Sequence, residues 1–229
     1  MVADGLGARL GLDRAAPDVE NRAVTERFVS RGFVGRAHDA GDEAGRLPPG
    51  QYLTGGFPVL SAGPTPQIPL DSWAFSIEGL VRTPVTWSWQ EFTALPSRDW
   101  TVDISCVTKW TKLDMLWHGV SLDDLLAAVE IEPRARFVTA HSYGGYTTNL
   151  PLTDLLNNQA FVAWEYDDAP LEPAHGGPAR LVVPHLYFWK SAKWVRGLRL
   201  HEEDEPGFWE SLGYHNRGDP WREERYSGD

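Results

Sequence analysis

Apolar and polar positions alternate with period two at several places along this chain, and the alternation predicts more strands than helices. Over about 99–107, Trp100, Val102, Ile104 and Cys106 share one face, while Thr101, Asp103 and Ser105 share the other. Over Trp73–Val81, the residues Trp73, Phe75 and Ile77 do the same. Further strands are expected at Arg136–Ala140, Phe161–Tyr166, about Ala169–Leu171 and Leu181–Val183, with Asp167-Asp168 turning the 161–171 pair into a hairpin. Helical spacing is rarer. Ser121 caps a predicted helix reaching about Val129, with Asp124 at the capping-box position and Leu122, Leu125 and Leu126 as its buried stripe. The Asp123-Asp124 pair there suits the positive end of the helix dipole and is not read as an acid–base pair. Shorter helices are expected at Glu20–Ser30, where Val24 and Phe28 lie four apart, and at Pro151–Leu156. Trp87–Leu95 is a short mixed segment, and Trp117–Val120 reads as a turn or strand entry. Short helices among mixed strands give an α+β class.

The pattern places a weakly patterned N-terminal extension over 1–48, including a polar linker from 35 that stops at Pro48-Pro49-Gly50. A single domain is expected over 49–229. Its tail, 202–229, carries nine acids and three arginines, yet holds Phe208, Trp209, Tyr214, Trp221 and Tyr226 and is expected to wrap the domain.

Composition narrows the chemistry. Of 229 residues 42% are apolar, enough for a substantial core, and eleven tryptophans suit deep, rigid pockets. The net charge of −11 excludes general nucleic-acid binding, because a phosphate backbone would be repelled. A single cysteine excludes an internal disulfide, a cysteine-rich zinc site and a cysteine-ligated iron–sulfur cluster. No stretch is long and apolar enough to span a membrane, and the N-terminus shows no signal pattern, so a cytoplasmic protein is expected.

Cys106 falls on the apolar face of its strand, where that strand stops. Such a thiol is a soft metal ligand, a nucleophile or simply a small buried hydrophobe. Gly55-Gly56, between aromatic and apolar residues, is a turn or a place where backbone meets a ligand. The run His141–Tyr146 suits a pocket rim. Residues 173–201 hold five cations (Arg180, Lys190, Lys193, Arg196, Arg199) and no acid, so the remainder of the chain carries −16. With Gly176-Gly177 this stretch suits an anion pocket, and equally a solvated basic face.

In order, the chain reads Cys-Val-Thr-Lys-Trp at 106, Trp-His-Gly-Val-Ser-Leu at 117, Gly-Tyr-Thr-Thr-Asn-Leu-Pro-Leu at 145, His-Gly-Gly-Pro-Ala-Arg-Leu-Val-Val-Pro at 175 and Lys-Ser-Ala-Lys-Trp-Val at 190. This order resembles the molybdopterin domain of the sulfite oxidase family, closest to its small haem-free bacterial members, over about residues 50–201. The resemblance implies a sulfite-oxidase-type fold and a molybdenum cofactor, with Cys106 as the thiolate on molybdenum. It places Thr54, Gly55, Gly56, Phe57, Ser142, His175 and Arg180 at the cofactor. Ser191, Ala192 and Lys193 match the segment that holds the cofactor phosphate through backbone N–H groups and an ammonium. Tyr146 and Lys190 match substrate-side positions and are expected to act in catalysis. Two departures stand out. Sulfite oxidases carry Arg-Asn-His where this chain has Gly55-Gly56-Phe57, so contacts at 54–57 are expected to come mainly from backbone. Their Ala-Gly-Asn-Arg-Arg after the cysteine is here Val107-Thr108-Lys109-Trp110, so the arginines of a sulfite pocket are not reproduced.

The resemblance thus implies two-electron oxygen-atom transfer on a small oxyanion, S-oxide or N-oxide, with electrons exchanged with a separate partner protein. A non-catalytic molybdopterin-binding or carrier protein is the alternative. The immunoglobulin-like dimerisation domain of sulfite oxidases has no counterpart in the pattern, and a monomer is expected.

Overall fold

In the computed structural model, which describes residues 45–229, the predicted alternations become strands of two separate sheets. The expected helix at Glu20–Ser30 lies outside the described residues, as does most of the polar stretch 35–50. In chain order the strands are β1 (Tyr52–Leu53), β2 (Ala74–Gly79), β3 (Val85–Ser88), β4 (Arg98–Ser105), β5 (Trp110–Ser121), β6 (Phe137–Ser142), β7 (Thr147–Pro151), β8 (Phe161–Tyr166), β9 (Ala169–Pro170), β10 (Arg180–Val182) and β11 (Val195–His201). The α-helices are short: α1 (Trp89–Thr93), α2 (Leu122–Ala127) and α3 (Phe208–Ser211).

The first sheet runs β1-β5-β8-β10, with β4 also on β5 and β9 on β8. The second runs β3-β2-β11-β6-β7. Strands β2 and β11 pair in parallel, while β11 pairs antiparallel with β6. The sheets are therefore mixed, and the class is α+β.

Local chemistry explains the elements. Phe75 and Ile77 on β2 are fully buried and Trp73 nearly so, each worth roughly 1.5–3 kcal/mol of apolar burial. Ser121 caps α2, accepting from the Asp124 N–H at 3.0 Å, and Leu122, Leu125 and Leu126 are its buried face. Ser88 caps α1 in a full capping box with Glu91. The 151–156 helix forms as a 3₁₀ turn, Leu152–Leu155. Trp117–Val120, expected as a turn or strand entry, instead lies inside the twelve-residue β5.

Two cores form. The larger lies between the sheets and takes Val120, Val162 and Leu181 from the first and Phe75, Val138 and Leu198 from the second. The smaller packs around Cys106, Trp110, Trp117, Phe161 and Tyr187. The C-terminal tail does pack: Trp209 stands 4.9 Å from Tyr214, and Tyr214 stands 5.0 Å from Trp189, ring centre to ring centre. Among the described residues no helix is long and apolar enough to cross a membrane.

Candidate active site

Strand β4 ends at Ser105, and the chain turns back into β5 through Cys106–Lys109. The turn is closed by the Lys109 N–H donating to the Cys106 carbonyl at 2.9 Å and the Cys106 N–H donating to Trp110 at 2.9 Å. Lys109 adopts a left-handed φ of 76°, and its side chain is exposed. The Cys106 sulfur is buried and accepts from the Thr108 hydroxyl at 3.2 Å. Burial raises the thiol's pKa, partly offset by Thr108 and by the charge of Arg180.

Cys106 lines a cavity of about 490 Å³. Phe57, Tyr146, Arg180, Ser191 and Lys193 line it too, so six of the residues singled out from the sequence meet there. Aromatic side chains (Trp110, Phe188, Trp189, Trp194, Phe208, Trp209, Tyr214) share the remaining wall with the proline-rich loop 58–66. The only charged side chains in that lining are Arg180 and Lys193, both cationic, in a chain of net charge −11.

Arg180, at the start of β10, is buried without a carboxylate among its hydrogen-bond partners. It donates to the carbonyls of His175 at 2.7 Å and Ser191 at 2.8 Å, and its guanidinium lies 4.0 Å from the Phe188 ring centre. Burial pulls its pKa down to about 9. The Lys193 ammonium donates to Ser61 Oγ at 3.0 Å and the Ala174 carbonyl at 2.6 Å. Burial first, and the charge of Arg180 second, bring its pKa down to about 7.

The remaining expected positions are arranged less directly. Ser142, at the end of β6, is buried just before the lining residues Tyr143–Tyr146. His175 does not line the cavity: its ring is stacked on Phe57 at 3.8 Å, which puts Phe57 on the cavity side. Thr54, Gly55 and Gly56 also stand off the lining. The Thr54 N–H donates to Thr111, its hydroxyl accepts from Gly56, and the Gly55 carbonyl accepts from Lys112. Ala192 is buried behind the wall. The Ser191 N–H donates to Phe188 at 3.2 Å, leaving the Ala192 and Lys193 N–H groups without an acceptor among the described residues.

Tyr146 donates its hydroxyl to the Trp189 carbonyl at 2.6 Å, and burial raises its pKa well above the ordinary phenol value. Lys190 requires a correction. Expected on the substrate side, it is fully buried outside the lining, with its ammonium 2.6 Å from Glu210 and hydrogen-bonded to Asn149 and Asn216. The partner that withdraws it lies twenty residues on, in the acidic tail, and charge counting along 173–201 could not find it. The basic stretch as a whole divides: Arg180 and Lys193 reach the cavity, whereas Arg196 and Arg199 lie on the exposed face of β11. The tail residues Phe208, Trp209 and Tyr214 were expected to pack but not to line a site; their aromatic character was the only signal.

A molybdopterin cofactor fits what these residues leave open. Among the described residues, Arg180 Nε, His175 Nδ1, Ser142 Oγ and Trp110 Nε1 are buried without a hydrogen-bond partner, and such atoms call for a ligand or solvent. Two unopposed cations and two free N–H groups suit a phosphate. Cys106 supplies a soft thiol. No cluster of three or more His, Cys, Asp or Glu that could hold a metal occurs among the described residues.

Comparison with known proteins supplies an independent finding. Residues 62–209 match the family described as oxidoreductase molybdopterin binding domain. The uncharacterized oxidoreductase YuiH of Bacillus subtilis (strain 168) is 44% identical, over 82% of this chain and 96% of that protein. The protein-methionine-sulfoxide reductase catalytic subunit MsrP of Gluconobacter oxydans is 27% identical, over 61% of this chain and 50% of that one. Among solved structures, the sulfane dehydrogenase SoxCD from Paracoccus pantotrophus superposes with a TM-score of 0.58 at 18% identity, covering 87% of this chain and 57% of that one. That likeness shows the fold.

Proposed function

The chain belongs to the molybdopterin-binding oxidoreductase family, and from that premise we propose that it is a molybdenum enzyme taking an oxygen atom from a small neutral S-oxide or N-oxide, or adding one to the corresponding sulfide or amine. The observation that carries the reading is the convergence on one cavity of a buried soft thiol, two cations without a carboxylate partner and an aromatic wall. When bound, the cofactor supplies a metal that cycles by two electrons and so exchanges an oxygen atom with substrate.

The chain's own residues have separable roles. Cys106 would hold the metal through its thiolate, and in the cofactor-free chain burial keeps the proton on the thiol. Arg180 and Lys193, with the N–H groups of Ala192 and Lys193, hold the anionic end. Arg180 Nε and Trp110 Nε1, unpartnered on residues that line the cavity, face the pterin, while His175 supports the cavity from behind Phe57. Tyr146 keeps its proton and donates it to the Trp189 carbonyl, so its ring shapes the cavity wall and its hydroxyl oxygen is left as an acceptor. The aromatic walls exclude water, which strengthens each of these contacts. A neutral substrate is favoured over an oxyanion because Arg180 and Lys193, the two cations among the described lining residues, are assigned to the cofactor's anionic end, which leaves no further cation in that lining for a substrate charge. The name of the MsrP relative accords with an S-oxide. Electrons pass to or from a separate protein, since Cys106, the one cysteine, is committed to the metal.

The test is molybdenum by elemental analysis, with pterin fluorescence after oxidation, on wild type and Cys106→Ser made in a host that synthesises the cofactor. The expected result is near-stoichiometric metal in wild type, with viologen-driven S-oxide or N-oxide reduction lost in the variant. Neither metal nor pterin in the wild type would end the proposal.

A further inference from the structure

One wall of the cavity comes from the tail rather than from either sheet. Phe208, Trp209 and Tyr214 line the same cavity as Cys106, and Phe208 is 40% exposed, which puts it at the rim. Their rings form a chain with Tyr146: 5.9 Å from Tyr146 to Phe208, 5.1 Å on to Trp209 and 4.9 Å on to Tyr214. A helix of four residues with no side-chain cap, such as α3, cannot hold itself in place.

Glu210 holds it. This carboxylate is buried, and its Oε1 takes the Lys190 ammonium at 2.6 Å, the Thr148 hydroxyl at 2.8 Å and the Trp189 indole N–H at 2.9 Å. Lys190 in turn donates to the Asn149 carbonyl at 2.7 Å and to the Asn216 carbonyl. The pair thus grips the tail at 210 and 216, on both sides of Tyr214, and fastens it to β7 and to the 188–190 turn. Upstream, Gly207 is pressed onto β7 so closely that a Cβ there would lie 2.5 Å from the Thr148 Cα. A buried ion pair adds little net stability over apolar packing, so its distinctive effect is to fix geometry.

We propose that Phe208, Trp209 and Tyr214 form the specificity-determining wall of the cavity, and that Lys190–Glu210 is the positioning pair that sets the wall relative to Cys106. This rests on the reading of Cys106 as the reacting end. The wall admits a small or flat apolar group beside the reacting atom and turns away bulkier ones.

The single cysteine allows a test that needs no turnover. The full chain, purified from a host unable to make molybdopterin, is treated at one pH with iodoacetamide, a small reagent, and with N-phenyl iodoacetamide, a bulkier one that is likewise uncharged. A change in thiol ionisation moves both rates together, so the bulky-to-small ratio isolates the wall. Phe208→Ala, at a rim position, is expected to raise that ratio about tenfold while leaving the melting temperature nearly unchanged. Glu210→Gln is expected to raise it through the displaced tail. If Glu210→Gln does not fold, the double variant Lys190→Met with Glu210→Leu removes the pair without stranding a charge. An unchanged ratio in Phe208→Ala, or both rates rising together, would overturn the wall. A folded pair variant with the wild-type ratio would overturn the positioning role. Molybdenum content of the wild type decides the functional reading separately, so neither failure is mistaken for the other.

Discussion

Lys193 holds a charge that folding disfavours. Its ammonium has a hydroxyl and a carbonyl for partners but no carboxylate, and burial with Arg180 beside it lowers its pKa from the ordinary 10.5 to about 7. Below pH 7 both folded and unfolded chains carry the proton, and the folded chain bears the full cost. Between 7 and 10.5 the unfolded chain holds a proton that the folded chain has released, so this group raises stability with pH in that window. The cofactor-free chain is therefore expected to melt higher as pH rises from 7 to about 9, above which the Cys106 thiol, its pKa raised by burial, works in the opposite sense, and Lys193→Met is expected to flatten that rise. Melting curves across the window for both proteins decide it; parallel slopes would contradict the assignment. Arg180, pulled down to about 9, works in the same direction at higher pH. At this scale much of the site was legible. Cys106, Tyr146, Arg180 and Lys193 stand at strand ends or in short loops where local pattern and motif order identify them. Lys190 was not legible as a positioning residue, because its role depends on Glu210 and Asn216, which only the fold brings to it. Nor was the stacking of His175 behind Phe57, a contact across more than a hundred residues.

The β4–β5 connection is the element on which the sulfur depends, and it contains a conformational cost. Lys109 sits at φ 76° with an exposed side chain that makes no hydrogen bond or ion pair among the described residues, while its backbone closes the turn on Cys106 and accepts from Tyr52 at 2.8 Å. A side chain with a Cβ in that region costs roughly 1–2 kcal/mol, against about 0.5–1 kcal/mol for the extra freedom of an unfolded glycine. Lys109→Gly is expected to stabilise the chain by somewhat under about 1 kcal/mol, a rise in melting temperature of about 2 °C, with molybdenum content unchanged. Calorimetry showing a loss of stability would mean that the lysine side chain has a role which its surroundings do not reveal. The same hairpin shows why part of the sheet escaped the sequence. β4 alternates cleanly and was legible. β5 was not, because Asp114 takes φ 51° and the pairing slips opposite Asp103, which breaks the period just where the strand should declare itself. β7 and β11 were missed for a related reason. Five-residue β7 lies in a stretch that reads as pocket rim, and β11 carries Arg196, Gly197 and Arg199, which read as charge rather than as the outer face of a strand. By contrast β2, α2 and the β8–β9 hairpin combine period with caps or turn residues, and in each the two signals agree.

Across the whole molecule, the two sheets share the larger core, and the cavity draws its lining from both of them. Cys106 and Arg180 belong to the first sheet and its turns; Ser142 and Tyr146 belong to the end of β6 and its turn into β7 in the second; Ser191 to Lys193 lie on the link from β10 to β11 that crosses between them. Without an anion the cavity concentrates unopposed positive charge at the centre of an acidic protein, and it leaves Arg180 Nε and Trp110 Nε1 unpartnered among the described residues. A ligand that satisfies these groups binds only the folded chain, so binding appears as stability: about 4 kcal/mol when the free ligand exceeds its dissociation constant a thousandfold. The cofactor-loaded chain is therefore expected to melt well above the cofactor-free chain. Inorganic phosphate, offering only the anionic end, should raise the melting temperature of cofactor-free wild type by a smaller amount and that of Lys193→Met hardly at all. Equal melting temperatures with and without cofactor would mean that the cofactor adds nothing to the shared core that holds the two sheets together. The charge gathered between them would then have to be balanced by something other than the cofactor.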